Sequence, residues 1–317
     1  TELTTSSVAL AVQELTKEKK KVNIVVGAAS SAITGASCSP YGFHWAFDTH
    51  ALAVGTGGAM VKAGGDSWYF MTVDYAFGHA LEKDTSDAVK AAGGKVLGAV
   101  RIPLNTSDFS SFLLQAQGSK AKVVGLANAG GDTINSIKQA AEFGIVAGGQ
   151  KLAALLLTAS EVHGLGLKAA QGTVLTESFY WDLNDKTRAF AERLYKRTGR
   201  MPNMIQAGTY SATLQYLKAV KAAGTKDTEA VAKKLKELPV DDLFAQEALG
   251  IEEAVGLLQA TRRRPRRQGV PGREGFRLPA GEVGHSVVPA FALGHAHIWC
   301  DGLARIEGGG FQNRESV

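Results

Sequence analysis

Trp68-Tyr69-Phe70-Met71-Thr72-Val73 runs into Asp74-Tyr75-Ala76-Phe77-Gly78 and then into a stretch of helical character over residues 79–92. The same order returns further along. Lys122-Val123-Val124-Gly125-Leu126-Ala127 leads to Asn128-Ala129-Gly130-Gly131-Asp132 and to helical character over 133–143. Each unit is an apolar run of strand length, closed by small and polar residues that open a helix. A parallel sheet is built from such units, and it offers the carboxyl ends of its strands to a ligand. Neither turn carries a catalytic or nucleotide-binding signature, so the pattern points to binding rather than to chemistry.

Outward from these units the alternation continues. Residues 7–19 read as a helix capped by Ser6 or Ser7. Residues 22–26 read as a buried strand closed by Gly27-Ala28-Ala29-Ser30-Ser31, and residues 43–47 as a second short strand. Residues 49–63 read as one helix, 96–100 as a strand, 108–117 as a helix, and 152–157 as a strand. Residues 172–176 lead into Glu177-Ser178-Phe179-Tyr180-Trp181-Asp182, and helices over 185–198, 206–223 and 227–237 complete the regular part. Strands alternating with helices predict an α/β fold, with parallel sheets flanked by helices.

The chain has 317 residues, which favours two domains. No run of 18 uninterrupted apolar residues appears, so no segment reads as a membrane-spanning helix. Two cysteines, Cys38 and Cys300, are too few for a disulfide framework. The net charge of +5 suggests an acidic partner until its distribution is followed. Residues 1–244 hold 21 Lys and 5 Arg, whereas residues 245–317 hold no Lys and 9 Arg. The basic balance is therefore local to an Arg/Gly/Pro-rich tail, and no nucleic-acid partner is expected for the main body.

Three motif-like features weigh against themselves. Gly55-Thr56-Gly57-Gly58 sits inside helical sequence rather than after a strand, so it is no dinucleotide fingerprint. His285, His295, His297 and Cys300 lack the paired spacing of a zinc module. The run from Arg262 to Arg267 imitates a localisation signal in a segment that reads as foreign to the rest. No catalytic constellation emerges, and neither metal nor cofactor is expected.

The run from Asp74 to Leu81, the run from Ala127 to Thr133 and the run from Thr176 to Asp182 together resemble one family. It is the periplasmic solute-binding proteins of branched-chain amino-acid (Leu/Ile/Val-binding-like) ABC transporters, over roughly residues 1–244. The resemblance implies a type I periplasmic binding fold: two α/β lobes joined by three crossovers, a small ligand enclosed between them, and no enzymatic activity. It also implies a periplasmic location and ABC transporter permease subunits as partners. The expected layout is a partial lobe 1 over 1–50, lobe 2 over 51–178, a return to lobe 1 over 179–244, and a poorly ordered tail over 245–317. Family members open with a secretion signal and earlier strands of the first lobe. This chain is expected to start inside that lobe, and a frame shift or chimeric join would explain both its start and its tail.

Carried over residue by residue, the resemblance gives a ligand-binding set. The Ser6-Ser7 turn, with Ser7 as the expected contact, and the Gly27-Ala28-Ala29-Ser30-Ser31 loop, with Ala28, Ala29, Ser30 and Ser31, match the first-lobe positions that grip a ligand carboxylate. Small residues there expose backbone N–H groups at a helix start, where an anion is stabilised. Tyr75 and Phe77 match the aromatic turn of the second lobe, and the bland alternative is simple packing over a strand end. Asn128, Ala129 and Asp132 match a second-lobe loop, although Asn128 and Asp132 read equally well as caps of a helix from Thr133. Phe179, Tyr180 and Trp181 would supply apolar wall, or else belong to the core.

Amino-acid-binding members place an acid after the strand that matches residues 152–157, to pair with the ligand ammonium. Here the first acid is Glu161, beyond Thr158-Ala159-Ser160. A buried ammonium without a partner is costly. The expected ligand is therefore a carboxylate with an aromatic or apolar body, with amino acids second and Asp132 as the substitute ammonium partner. Two rival functions remain at this level: a sensory ligand-binding domain of the same fold, and an α/β enzyme without a recognisable motif.

Overall fold

The computed structural model describes residues 2–166 and 168–244. The predicted tail, with its arginine run and its histidines, lies outside the described residues. In chain order the opening elements are α1 (Ser6–Glu18), β1 (Asn23–Val25) and β2 (Gly42–His44). Next come α2 (Thr49–Ala53), α3 (Ala59–Lys62), β3 (Ser67–Val73), α4 (Ala76–Ala91), β4 (Lys95–Ile102) and α5 (Ser110–Gly118). They are followed by β5 (Val123–Ala127), α6 (Gly130–Glu142), β6 (Lys151–Ala154), α7 (Ala159–Leu165) and β7 (Thr173–Val174). The last described elements are α8 (Asp185–Thr198), α9 (Met204–Ala223) and α10 (Thr228–Glu237).

Two compact units divide these elements. Among the described residues, one takes those up to Asp48 and those from Trp181 onward; the other is Thr49–Tyr180.

The first unit is organised around the parallel pair β1 and β2, in the register Asn23↔Gly42, Ile24↔Phe43, Val25↔His44. All three residues of each strand are buried, as expected for a sheet covered on both faces. Ile24, Val26, Phe43 and Trp45 pack with Ala212 and Ala219 of α9 and with Val231, Ala232 and Leu235 of α10. Val25, Ala28 and Ile33 pack with Ala9 of α1. The Trp45 indole N–H donates to the Ser211 hydroxyl at 3.1 Å, which satisfies the one polar atom of a buried ring.

The second unit is a five-stranded, wholly parallel sheet in the order β4-β3-β5-β6-β7. Its central strand β5 is buried along its whole length, whereas β4 at one edge is exposed at alternate positions. One core layer joins Met71, Val124, Leu126 and Leu152 of the strands to Leu113 of α5 and Ile137 of α6.

Four local expectations change. The cap of α1 is Thr5, whose side chain makes no capping bond, so neither Ser6 nor Ser7 is the cap. The strand expected over 43–47 ends at His44, because Ala46 turns to φ +77°. The helix expected over 49–63 is interrupted by a π turn, Val54–Gly58, between α2 and α3. The strand expected over 152–157 stops at Ala154, and a short unforeseen helix, α7, follows it.

The repeated turn is also shorter than it looks. Helices α4 and α6 start at Ala76 and Gly130, three residues before the expected 79 and 133. Both are entered through an extended residue, Tyr75 at φ −154° and Ala129 at φ −151°. Much of each polar turn is therefore the first turn of a helix. Gly78 lies where a Cβ would come within 2.0 Å of the Val73 carbonyl oxygen, so α4 follows β3 this closely only without a side chain there.

Candidate functional site

In the first unit the expected ligand residues gather at the turn after β1. Ala28, Ala29 and Ser30 are buried, and Ser31 opens a single 3-10 turn, Ser31–Ile33. The Ser30 hydroxyl accepts the Ala32 amide at 3.3 Å, capping that turn. The Ser30 amide in turn donates to the Ser6 hydroxyl at 3.1 Å. Ser6 is buried on the inner face of α1 with Ala9 and Gln13, at the spacing of one helical stripe. Ser7 stands exposed one residue on, so Ser6 is the serine that reaches the turn.

Two further groups bear on this turn. His44, at the end of β2, donates from Nε2 to the Ala28 carbonyl at 2.7 Å. Burial pushes its imidazole below the ordinary histidine value, with the Asp48 carboxylate and the Ala28 carbonyl opposing. Glu2 lies against Gly27, where a Cβ would fall 2.3 Å from its Oε1, and the Thr209 hydroxyl donates to its Oε2 at 2.9 Å. Among the described residues the Ala29 N–H has no acceptor, although Ala29 is 1% exposed. The N–H groups of Gly27 and Ala28, in the same buried turn, likewise have no acceptor among the described residues, although a buried amide is ordinarily paired.

In the second unit the expected residues lie at the carboxyl ends of β3 and β5. The Tyr75 and Phe77 rings are 5.9 Å apart; Phe77 is buried in the first turn of α4, while Tyr75 is half-buried. Burial raises the Tyr75 phenol, and the Asp132 carboxylate raises it further, so these two predicted residues are neighbours. Asp132 is itself held. Its Oδ2 accepts the Asn105 amide at 3.1 Å, and burial raises its carboxyl against the pull of the Asn105 and Thr106 N–H groups.

Asn128 is wholly buried. Its amide donates to Ser136 Oγ at 2.9 Å, and its carbonyl accepts from Thr133 Oγ1 at 2.8 Å. The side chain of Asn128 therefore ties the end of β5 to α6, and Ala129 is the extended residue that enters that helix. Tyr180 closes the second unit, next to the buried Phe179.

At the ends of β6 and β7 two acids come together. Glu161 forms a capping box with Thr158 at the start of α7. Glu177, 3% exposed, was not singled out from the sequence. Burial pushes its carboxyl from 4.5 up to about 8; the Ala159 amide lowers it and the Glu161 charge raises it. Its Oε1 has no partner among the described residues. Beside it the Thr176 and Thr56 hydroxyls bond at 2.7 Å, joining the end of β7 to the π turn. Among the described residues no cluster of three or more metal-ligating side chains exists, and no helix is long and apolar enough to cross a membrane.

Parallel strands whose carboxyl ends run into small and polar turns are the layout of an α/β ligand-binding protein. A family model described as periplasmic binding protein matches residues 1–260, and the chain belongs to that family. Its fold is the type I periplasmic binding fold. A crystal structure of a periplasmic binding protein from Burkholderia mallei is 55% identical, covering 76% of this chain and 64% of that one, with a TM-score of 0.74. An R. palustris ABC-transporter solute-binding protein in complex with 4-hydroxybenzoate is 26% identical, covering 74% and 64%, with a TM-score of 0.68. A Leu/Ile/Val-binding protein homologue of Brucella melitensis is 28% identical over 231 residues, which are 71% of this chain. The chain spans 58% of the length of that curated relative.

Proposed function

We propose that this chain is the substrate-binding component of an ABC importer, acting in the periplasm and delivering its ligand to permease subunits. Its ligand is a small carboxylate with an aromatic or apolar body. Branched-chain amino acids are the second choice. One observation carries this reading: the turn of Ala28, Ala29, Ser30 and Ser31, braced by Ser6, with the Ala29 N–H still open. Membership in a family of binding proteins supports it, as does the R. palustris relative holding 4-hydroxybenzoate.

The preference for a plain acid comes from the carboxylates of the second unit. Recognition of an amino acid calls for an anion to pair with its ammonium group. Asp132 is drawn to the Asn105 and Thr106 amides, and Glu161 to Thr158. Glu177 is held neutral by burial at pH 7. Tyr75 and Tyr180 offer the aromatic surface that suits a ring-bearing acid.

A thermal-shift panel tests the assignment. Saturating ligand stabilises by RT ln(1 + [L]/Kd), about 2.7 kcal/mol at a hundredfold excess over Kd. Benzoate and 4-hydroxybenzoate are expected to raise the melting temperature more than leucine, isoleucine or valine. Stabilisation by leucine alone would overturn the preference, and no stabilisation by any of the five would overturn the function.

A further inference from the structure

We propose that His44 is a positioning residue for the anion-binding turn: its Nε2–H grips the Ala28 carbonyl and thereby aims the Ala29 N–H at the ligand carboxylate. The inference rests on the reading of that turn as the carboxylate seat. It adds a residue with no place in the expected ligand-binding set.

The parallel register sets the geometry. Val25 of β1 lies opposite His44 of β2, and the chain leaving β1 curls so that Ala28 meets the imidazole at 2.7 Å. A carbonyl oxygen only accepts, so Nε2 must carry the hydrogen. In a neutral imidazole Nδ1 is then a bare lone pair. Nδ1 is buried and without a hydrogen-bond partner among the described residues, which suits a lone pair better than a second N–H.

Peptide planarity supplies the link to the ligand. The Ala28 carbonyl and the Ala29 N–H belong to one peptide unit and point in opposite directions when it is trans, and the described chain has no cis bond. Fixing the carbonyl therefore fixes the N–H. A donor on the carbonyl also polarises the peptide and makes the opposite N–H a stronger donor in a buried setting. That N–H, like those of Gly27 and Ala28, has no acceptor among the described residues, and it is the one whose peptide unit His44 holds, in a residue 1% exposed.

The test uses the intact, isotopically labelled chain. Nitrogen-15 correlation spectra of the wild type at pH 7 are expected to show the Nε2–H tautomer at His44, and an Nδ1–H tautomer would overturn the proposal. His44→Leu removes the donor, whereas His44→Gln keeps one of similar reach. In the ligand-free protein the Ala29 amide resonance should move in His44→Leu and return towards the wild-type position in His44→Gln. An Ala29 resonance unmoved in His44→Leu would overturn the proposal whatever the ligand proves to be. With 4-hydroxybenzoate as the probe, His44→Leu is expected to weaken binding about tenfold, the scale of one hydrogen bond, and His44→Gln to recover most of it. Equal weakening in the two variants would also count against positioning. Failure of the wild type to bind any carboxylate would sink the functional assignment, while the tautomer and the Ala29 resonance would still decide the role of His44.

Discussion

Glu161 closes on Thr158: one carboxylate oxygen accepts both the backbone N–H and the hydroxyl of Thr158, each at 2.8 Å. The Thr158 hydroxyl in turn accepts the Glu161 amide at 3.4 Å. The acid that follows β6 in sequence is thus occupied in starting α7. This is why the position where an ammonium partner is expected offers a helix cap instead.

Replacing Glu161 by alanine should therefore lower stability by about 1 kcal/mol, the scale of a lost helix cap. Urea denaturation measures it. Affinity for 4-hydroxybenzoate, measured by calorimetry on the same variant, should stay within about twofold, or under 0.5 kcal/mol. Abolished binding in a folded variant would make Glu161 a ligand contact.

Glu177 gives the protein a built-in response to pH. Its folded value, about 8, lies above the ordinary 4.5, so between these limits the folded state holds a proton that the unfolded chain releases. The stabilising contribution is complete below about pH 4.5 and is lost as pH rises through about 8. Glu177→Gln, which cannot ionise, should flatten the decline of melting temperature between pH 6 and pH 9. A decline as steep as in the wild type would place the titrating group elsewhere.

Gly55 leaves no room for a side chain. A Cβ there would stand 2.7 Å from Thr176 Oγ1 and 2.8 Å from its Cγ2, and Thr176 is already bonded to Thr56. Gly55→Ala should cost about 1–3 kcal/mol by overpacking, despite the better helix propensity of alanine. Adding Thr176→Ala should recover part of that loss, and a double-mutant cycle reads the coupling. Strictly additive losses would show that the two positions do not press on each other.

Glu2 sets a negative charge beside the turn read as the carboxylate seat, against Gly27. Like charges oppose each other, but Glu2 is exposed and solvent screens it. Glu2→Gln is therefore expected to tighten 4-hydroxybenzoate binding by about 0.3–1 kcal/mol, and more at low salt than at high. Weaker binding in this variant would move the carboxylate away from Gly27.

The sheet-building units were legible because their apolar runs are long. Strands β3 and β5 stand within a residue of expectation, and α8 matches it. The starts of α4 and α6 were hidden because Asp74–Gly78 and Asn128–Asp132 have the composition of loops, yet most of those residues turn helical once Tyr75 or Ala129 is extended. Helix α7 is seven residues long, too short for periodicity, but Thr158-x-x-Glu161 was a readable capping box. Both Ser6 and Ser7 were legible as the opening turn, and the choice of Ser6 was recoverable from the stripe it shares with Ala9 and Gln13. The bond from His44 to Ala28 was not, since it depends on the register of two strands rather than on any local pattern. The burial of Glu177 was equally hidden, because it follows from how the chain beyond β7 meets the Ala159 amide and Glu161 at the start of α7.

The most direct measurement of the carboxylate seat is an amide-resolved NMR titration of the intact chain with 4-hydroxybenzoate. A saturable downfield shift of the Ala29 amide proton, larger than that of the already bonded Ser30 amide, is the predicted result. Saturable binding that leaves the Ala29 amide in place would contradict it.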